Sequence, residues 1–345
     1  MKINKLILFF LSILCIFSNS ILAWDDTHAK PQDFKAPDKH RIFIRGQLGY
    51  GSAKIPEIDE TVGRNFYNTY INEGFLLSLP RSTPNQSNAG FGQVGLEYRF
   101  DDKFRLMYDS RTIQANTTSL TSANIVILSE RIANTGSTSF KHKGWEESTK
   151  KFGLGYFQPF GNHFSIGILG RKYDITQSYK RTDSVYIIGQ FTQLGAGNYN
   201  IESTMSGFVP GIGIEIKPTR WFEIHFTHEN VNLKGKHTGT GLNFGVISLS
   251  GFGSVAIISP DFISSNLTYN GTIQNLDFVF RYTSWFSTRY GFTQEKFTRK
   301  FENYYSANSD VTQAIINGFI YSALTESQVV YRNFHLTFEF SKGFN

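Results

Sequence analysis

The feature that most restricts what this chain can fold into is an alternation of oily and polar residues with a period of two, repeated in ten short stretches. The last stretch is the clearest. From Arg332 onward, Phe334, Leu336, Phe338, Phe340 and Phe344 share one parity, while His335, Thr337, Glu339 and Ser341 fill the other. Successive side chains of an extended strand point to opposite faces, so each stretch predicts a β-strand with one apolar side. The same pattern sets Ile42, Ile44, Leu48 and Tyr50 against Arg45 and Gln47, and Val94, Leu96, Tyr98 and Phe100 against Glu97 and Arg99. Across the turn Asp101 to Lys103, Phe104, Leu106 and Tyr108 alternate with Arg105, Asp109 and Arg111. Three more strand pairs flank turns at Phe160 to His163, Pro218 to Arg220 and Thr283 to Trp285.

The sign of the two faces decides the fold class. The polar parity carries Arg45, Glu97, Arg99, Arg105, Asp109, Arg111, Arg171, Glu215, Glu223, His225, Asp277, Arg281, Arg289, His335 and Glu339. No soluble sandwich buries such a face easily. If the oily parity faces hydrocarbon instead, every backbone N–H and C=O must bond within the sheet, which only a closed barrel achieves. The expectation is an all-β, antiparallel, up-and-down transmembrane β-barrel of about ten strands over residues 41–345, its lumen lined by those fifteen residues. An even strand count puts both ends of the sheet on one side. Short periplasmic turns then alternate with five excursions, near Ala53 to Ala89, Ala115 to Thr149, Thr176 to Met205, Lys234 to Asn270 and Lys296 to Ser327, expected to be long extracellular loops.

Composition supports export without a helical anchor. Lys2 and Lys5 precede the apolar run Leu6 to Phe17, which is too short to span a bilayer as a helix and is laid out as a signal peptide over residues 1–23. Residues 24–40 are expected to form a polar periplasmic lead-in. Cys15 is the one cysteine of the chain, so loss of the signal leaves no thiol for disulfides, nucleophilic catalysis or metal binding. Removing Lys2 and Lys5 leaves 32 basic against 28 acidic residues, too mild an excess to suggest nucleic acid.

The closing run of alternating aromatics resembles the last strand of bacterial outer-membrane β-barrel proteins. That resemblance implies an outer-membrane location, contact with outer-membrane lipid, and reading of the C-terminal strand by the barrel-insertion machinery. Asn345 after Phe344 departs from the pattern, which ends on the aromatic itself.

The inward charges fit either a mutually neutralising polar core or a selectivity lining. Basic clusters at Lys141 with Lys143, Lys180 with Arg181, Lys234 with Lys236, and Lys296 with Arg299 and Lys300 are candidate outer-rim contacts for lipid phosphates. Apolar segments at Phe75 to Leu79, Ile125 to Leu128, Val185 to Phe191, Val246 to Ile258 and Ile315 to Leu324 would cap the barrel, extend its hairpins or face an extracellular ligand or surface. No cofactor or metal set is expected. Some outer-membrane barrels are hydrolases, and ten-stranded omptin-type proteases carry an Asp pair and an Asp–His pair at the lumen mouth; here Asp109, Asp174 and Asp277 stand singly, and His228 is followed by Glu229. The expected role is a non-enzymatic, surface-exposed structural or binding protein. A narrow porin-like channel leaning toward anions is the alternative, and an outer-membrane hydrolase the second.

Overall fold

The computed structural model describes residues 39–54, 76–77, 81–82, 86–129, 132–188, 191–249, 253–306 and 326–344. The signal peptide, the lead-in as far as residue 38, and the apolar segment Ile315 to Leu324 lie outside them. Ten long strands carry the architecture: β1 His40–Lys54, β4 Gln86–Phe100, β5 Phe104–Ser129, β6 Ile132–Phe160, β7 Phe164–Ile188, β8 Phe191–Ile216, β9 Phe222–Leu249, β10 Gly253–Arg281, β11 Phe286–Ser306 and β12 Glu326–Phe344. Two short strands, β2 Leu76–Leu77 and β3 Arg81–Ser82, pair with the upper part of β5.

Each long strand pairs antiparallel with its neighbours, and β1 bonds both β4 and β12, so the sheet closes on itself. This is the up-and-down transmembrane barrel that the two faces demand. The inner turns are tight: Asp101 and Asp102 take a left-handed φ of 54°, and Gly161 takes 68°. Thr219 Oγ1 accepts the Phe222 N–H at 3.1 Å and Thr283 Oγ1 the Phe286 N–H at 3.0 Å. Following paired residues from Phe104 through Tyr156, Ile168, Ile212, His228, Gln274, Gln294, Arg332 and Ser52 leads to Asn88, one step beyond the Ala89–Ala115 pair. One circuit thus climbs about twelve residues, a strand tilt of about 40°. Each residue then adds about 2.5 Å along the barrel axis.

That rise changes the picture of the excursions. Strands β5 to β10 run for 25 to 29 residues, or about 60–70 Å of height, where an apolar band of about 25 Å suffices to cross the membrane. The stretches Ala115 to Thr149, Thr176 to Met205 and Lys234 to Asn270, expected as loops, are strand at every described residue. The polar residues there form the outward face of strands that continue above the lipid-facing band.

The alternation reverses its sense at that level. In the lower tier Ile44, Leu48, Val94, Leu154, Ile168 and Phe338 face outward and the charges inward. Above it, Gln114, Thr176, Ser178, Thr204, Asn230 and Asn270 are exposed. The inward parity there becomes Ile113, Tyr173, Ile175, Ile201, Met205, Leu233, Leu267, Tyr269, Phe297 and Tyr331, a continuous apolar core. Each such side chain contributes about 1.5–3 kcal/mol on burial. Among the described residues the large hydrophobic core therefore begins near the top of the lipid-facing band and continues above it.

Candidate functional site: the filled lumen and the outward collar

All fifteen expected lining residues point inward, and most of those in the lower tier are drawn into shared ionic contacts. Arg45 bridges Glu339, through Nε to Oε2 at 2.6 Å, and Glu97, which also accepts from Arg99. Arg289 reaches the same Glu339, whose other oxygen accepts from Ser287 at 2.9 Å. Arg281 holds Glu223 at 2.6 Å, and Glu223 holds His225 Nε2 at 2.8 Å. Arg105 spans Glu215 with both terminal nitrogens and lies 3.6 Å from the Phe157 ring centroid. Phe157 lies flat because Gly167 and Gly213, its neighbours in one row, offer no side chains; a Cβ on either would meet the ring at 2.6–2.7 Å. Bidentate and stacked geometry of this kind is what a guanidinium supplies and an ammonium does not.

Higher up, Arg111 joins Glu295 and Glu147, and Arg171 joins Glu229 at 3.1 Å. Lys151 lies 4.7 Å over the Tyr173 ring, and the Tyr173 hydroxyl donates to Glu229. Above the lipid-facing band, Gln177 donates to Glu147 at 2.8 Å and to the Tyr269 hydroxyl at 3.3 Å, and the Tyr331 hydroxyl approaches Glu147 at 3.4 Å. Burial, with Glu147 near both, holds the Tyr269 and Tyr331 phenols above their usual range, so both stay neutral, Tyr331 donating to Glu147 and Tyr269 accepting from Gln177. Glu147, Lys151, Glu229 and Glu295 were not singled out from sequence, although each continues the inward parity of its strand.

Two residues expected to stand apart are brought together. Asp277 and His335, on neighbouring segments of β10 and β12 across β11, meet at 2.7 Å, with Thr293 Oγ1 at 3.5 Å from the other ring nitrogen. His228 and Glu229 are separated instead, since adjacent strand residues face opposite ways: Glu229 is buried within the lumen and His228 lies outside. Between Gln47, Gln93, Arg171, Asp277 and His335 remains a cavity of about 120 Å³. Among the described residues no cluster of three or more His, Cys, Asp or Glu is arranged to hold a metal.

The outer basic clusters divide by parity. Lys141, Lys143, Lys180, Lys234, Lys236, Lys296 and Lys300 are exposed on the outside. Arg181 and Arg299 are not rim residues: they are 3% and 2% exposed and point inward, 4.3 Å and 4.6 Å from the ring centroids of Tyr199 and Phe301. Runs such as Lys180–Arg181 look like one basic patch in sequence, but neighbours on a strand cannot share a face. Near the tips the outer face turns apolar again over Tyr186, Ile188, Leu194, Leu242, Phe244, Ile258 and Phe262. The described residues of Val185 to Phe191 and Val246 to Ile258 thus extend the hairpin strands.

No protein-family model matches the chain, and no curated protein matches it. Among solved structures, the chain is similar to the outer membrane protease OmpT from Escherichia coli, at 8% identity and a TM-score of 0.41 over 91% of this chain and 100% of that one. It is also similar to the toluene transporter TodX of P. putida, at 8% identity and a TM-score of 0.30 over 90% and 91%, and to the CymD monoaromatic hydrocarbon channel, at 9% identity and a TM-score of 0.22 over 90% of each chain. At these identities no activity carries over from any of them.

Proposed function

We propose that this chain is a non-conducting, non-catalytic outer-membrane barrel that holds a rigid β-cylinder above the cell surface for binding. The single observation that carries this reading is the filling of the lumen at two successive levels. The lower level is closed by arginine–carboxylate pairs whose glutamates are all under 10% exposed and whose arginines are at most 19% exposed; the upper is closed by the aromatic core around Tyr173, Tyr199, Tyr269, Phe297 and Tyr331. A path for solute would have to break both. The histidine–acid pairs are committed within this packing: His225 is held by Glu223 and Arg289, and His335 by Asp277. Against the channel and hydrolase alternatives, the exposed apolar surface at the hairpin tips gives the upper cylinder something to bind with. Recording from purified protein in planar bilayers should give no discrete conductance steps; reproducible unitary steps would favour the channel.

A further inference from the structure

At the top of the lipid-facing band the outer face of the barrel carries more cations than acids. Just beyond the lipid-facing band the carboxylates Glu147, Glu229 and Glu295 are inside, while the cations on the outer face are nearly all lysine. Counted from the inner end of each strand, Lys172 stands eight residues above Phe164, Lys150 ten above Phe160, Lys296 ten above Phe286, Lys234 twelve above Phe222 and Arg332 twelve above Phe344. At about 2.5 Å per residue this is a belt of cations some 20–30 Å up, where the outer headgroups of a band of about 25 Å begin. Over those heights the only outward acid among the described residues is Asp174, already 3.5 Å from Lys172.

One sector of the belt is built more densely than the rest. On β10, Asn270 pairs with Asn232 of β9 on one side and Thr298 of β11 on the other. Lys234, Lys296 and Lys300 are its diagonal neighbours, about 7–8 Å away, with Lys234 and Lys300 flanking Thr268 in one row and Lys236 one step higher. Asn232, Asn270, Lys234, Lys236, Lys296 and Lys300 are all exposed. No described acid forms a salt bridge with Lys234, Lys236 or Lys296; the acids that border the sector are Glu202 on β8, exposed and diagonal to Lys236, and Glu302, 2.9 Å from Lys300. Amide and hydroxyl donors framed by ammonium groups stand about 15 Å above an apolar wall of Phe226 and Leu276, with the polar rungs His228–Gln274 and Asn230–Thr272 between, and suit a group that is anionic at its head and oily below. Charge-assisted bonds to phosphate oxygens are the strongest such contacts available.

We propose that the outward face of β9–β11 around Asn270 is a recognition site for the phosphate of an anionic, acyl-chain-bearing lipid of the outer leaflet. This rests on the outer-membrane reading above, and the test keeps the two apart. Wild-type protein in neutral detergent is titrated by native mass spectrometry with phosphatidic acid, with phosphatidylcholine and with inorganic phosphate, and localisation of the same chain is measured separately by membrane fractionation. Phosphatidic acid should bind in preference to phosphatidylcholine, and K234Q/K296Q should weaken it by about fivefold per lysine removed, while K141Q/K143Q leaves it unchanged and K234R/K296R restores it. Binding by K234Q/K296Q equal to wild type, with the barrel still folded by its heat-dependent gel shift, overturns the proposal. So does inorganic phosphate displacing the lipid at equal concentration, which would mark a site for a soluble anion.

Discussion

Replacing Glu339 by Gln is the sharpest perturbation of the lower tier. The carboxylate is 1% exposed and holds Arg45 and Arg289 at once, with Ser287 on its second oxygen. At close range and an effective dielectric near 20, each such pair has a gross attraction of about 4 kcal/mol. Much of that is offset by desolvation, but desolvation is already complete when only one partner is removed, so the two guanidinium groups remain buried without their shared counter-charge. Breaking a buried pair in this way costs about 3–5 kcal/mol. Guanidinium unfolding of the barrel in lipid vesicles should therefore move E339Q down by that amount, with an unchanged slope against denaturant. Adding R289M should recover about 2 kcal/mol, because one of the stranded charges goes with it. A loss under about 1 kcal/mol for E339Q, or strict additivity in the cycle, would refute the view that this lattice is sealed from water.

The two tiers make further claims that are separately checkable. Gly167→Leu places a side chain where the Phe157 ring lies, at 2.6 Å from the built Cβ, so the Phe157–Arg105 stack should be lost and stability fall by about 1–3 kcal/mol in the same unfolding assay; a neutral result would show that the ring does not occupy the space over the glycines. Phe297→Ala, in the upper core, should cost about 3–5 kcal/mol while leaving insertion into vesicles intact, since that core faces inward and begins only near the top of the lipid-facing band. Phe338→Lys on the lipid face should cost about 2–4 kcal/mol, whereas Thr204→Lys, outward on the upper tier, should stay within about 0.5 kcal/mol. Equal effects at the two positions would misplace the boundary between the tiers.

The period of two, read together with the charge on one parity, was enough to predict a closed antiparallel barrel, its strand number, its inner turns and the inward direction of Arg45, Glu97, Arg105 and Glu339. Those are local properties: a strand's faces are set by the order of its own residues, and a face that is charged or oily dictates its solvent. Height was not legible. Phe226 and Lys234 are eight residues apart on one strand, and only strand tilt and closure place the first in the lipid-facing tier and the second about 20 Å higher. The reversal of the alternation above that level was mistaken for loop, because a polar outward parity suggests a wet surface without saying that the opposite parity, Tyr173, Leu233 and Phe297 among others, closes into a core. Partnership within the lumen was hidden for the same reason. His335 meets Asp277 and Arg111 meets Glu295 from 58 and 184 residues away, and which carboxylate neutralises which arginine depends on the stagger of ten strands around a circle, a quantity that no single segment contains.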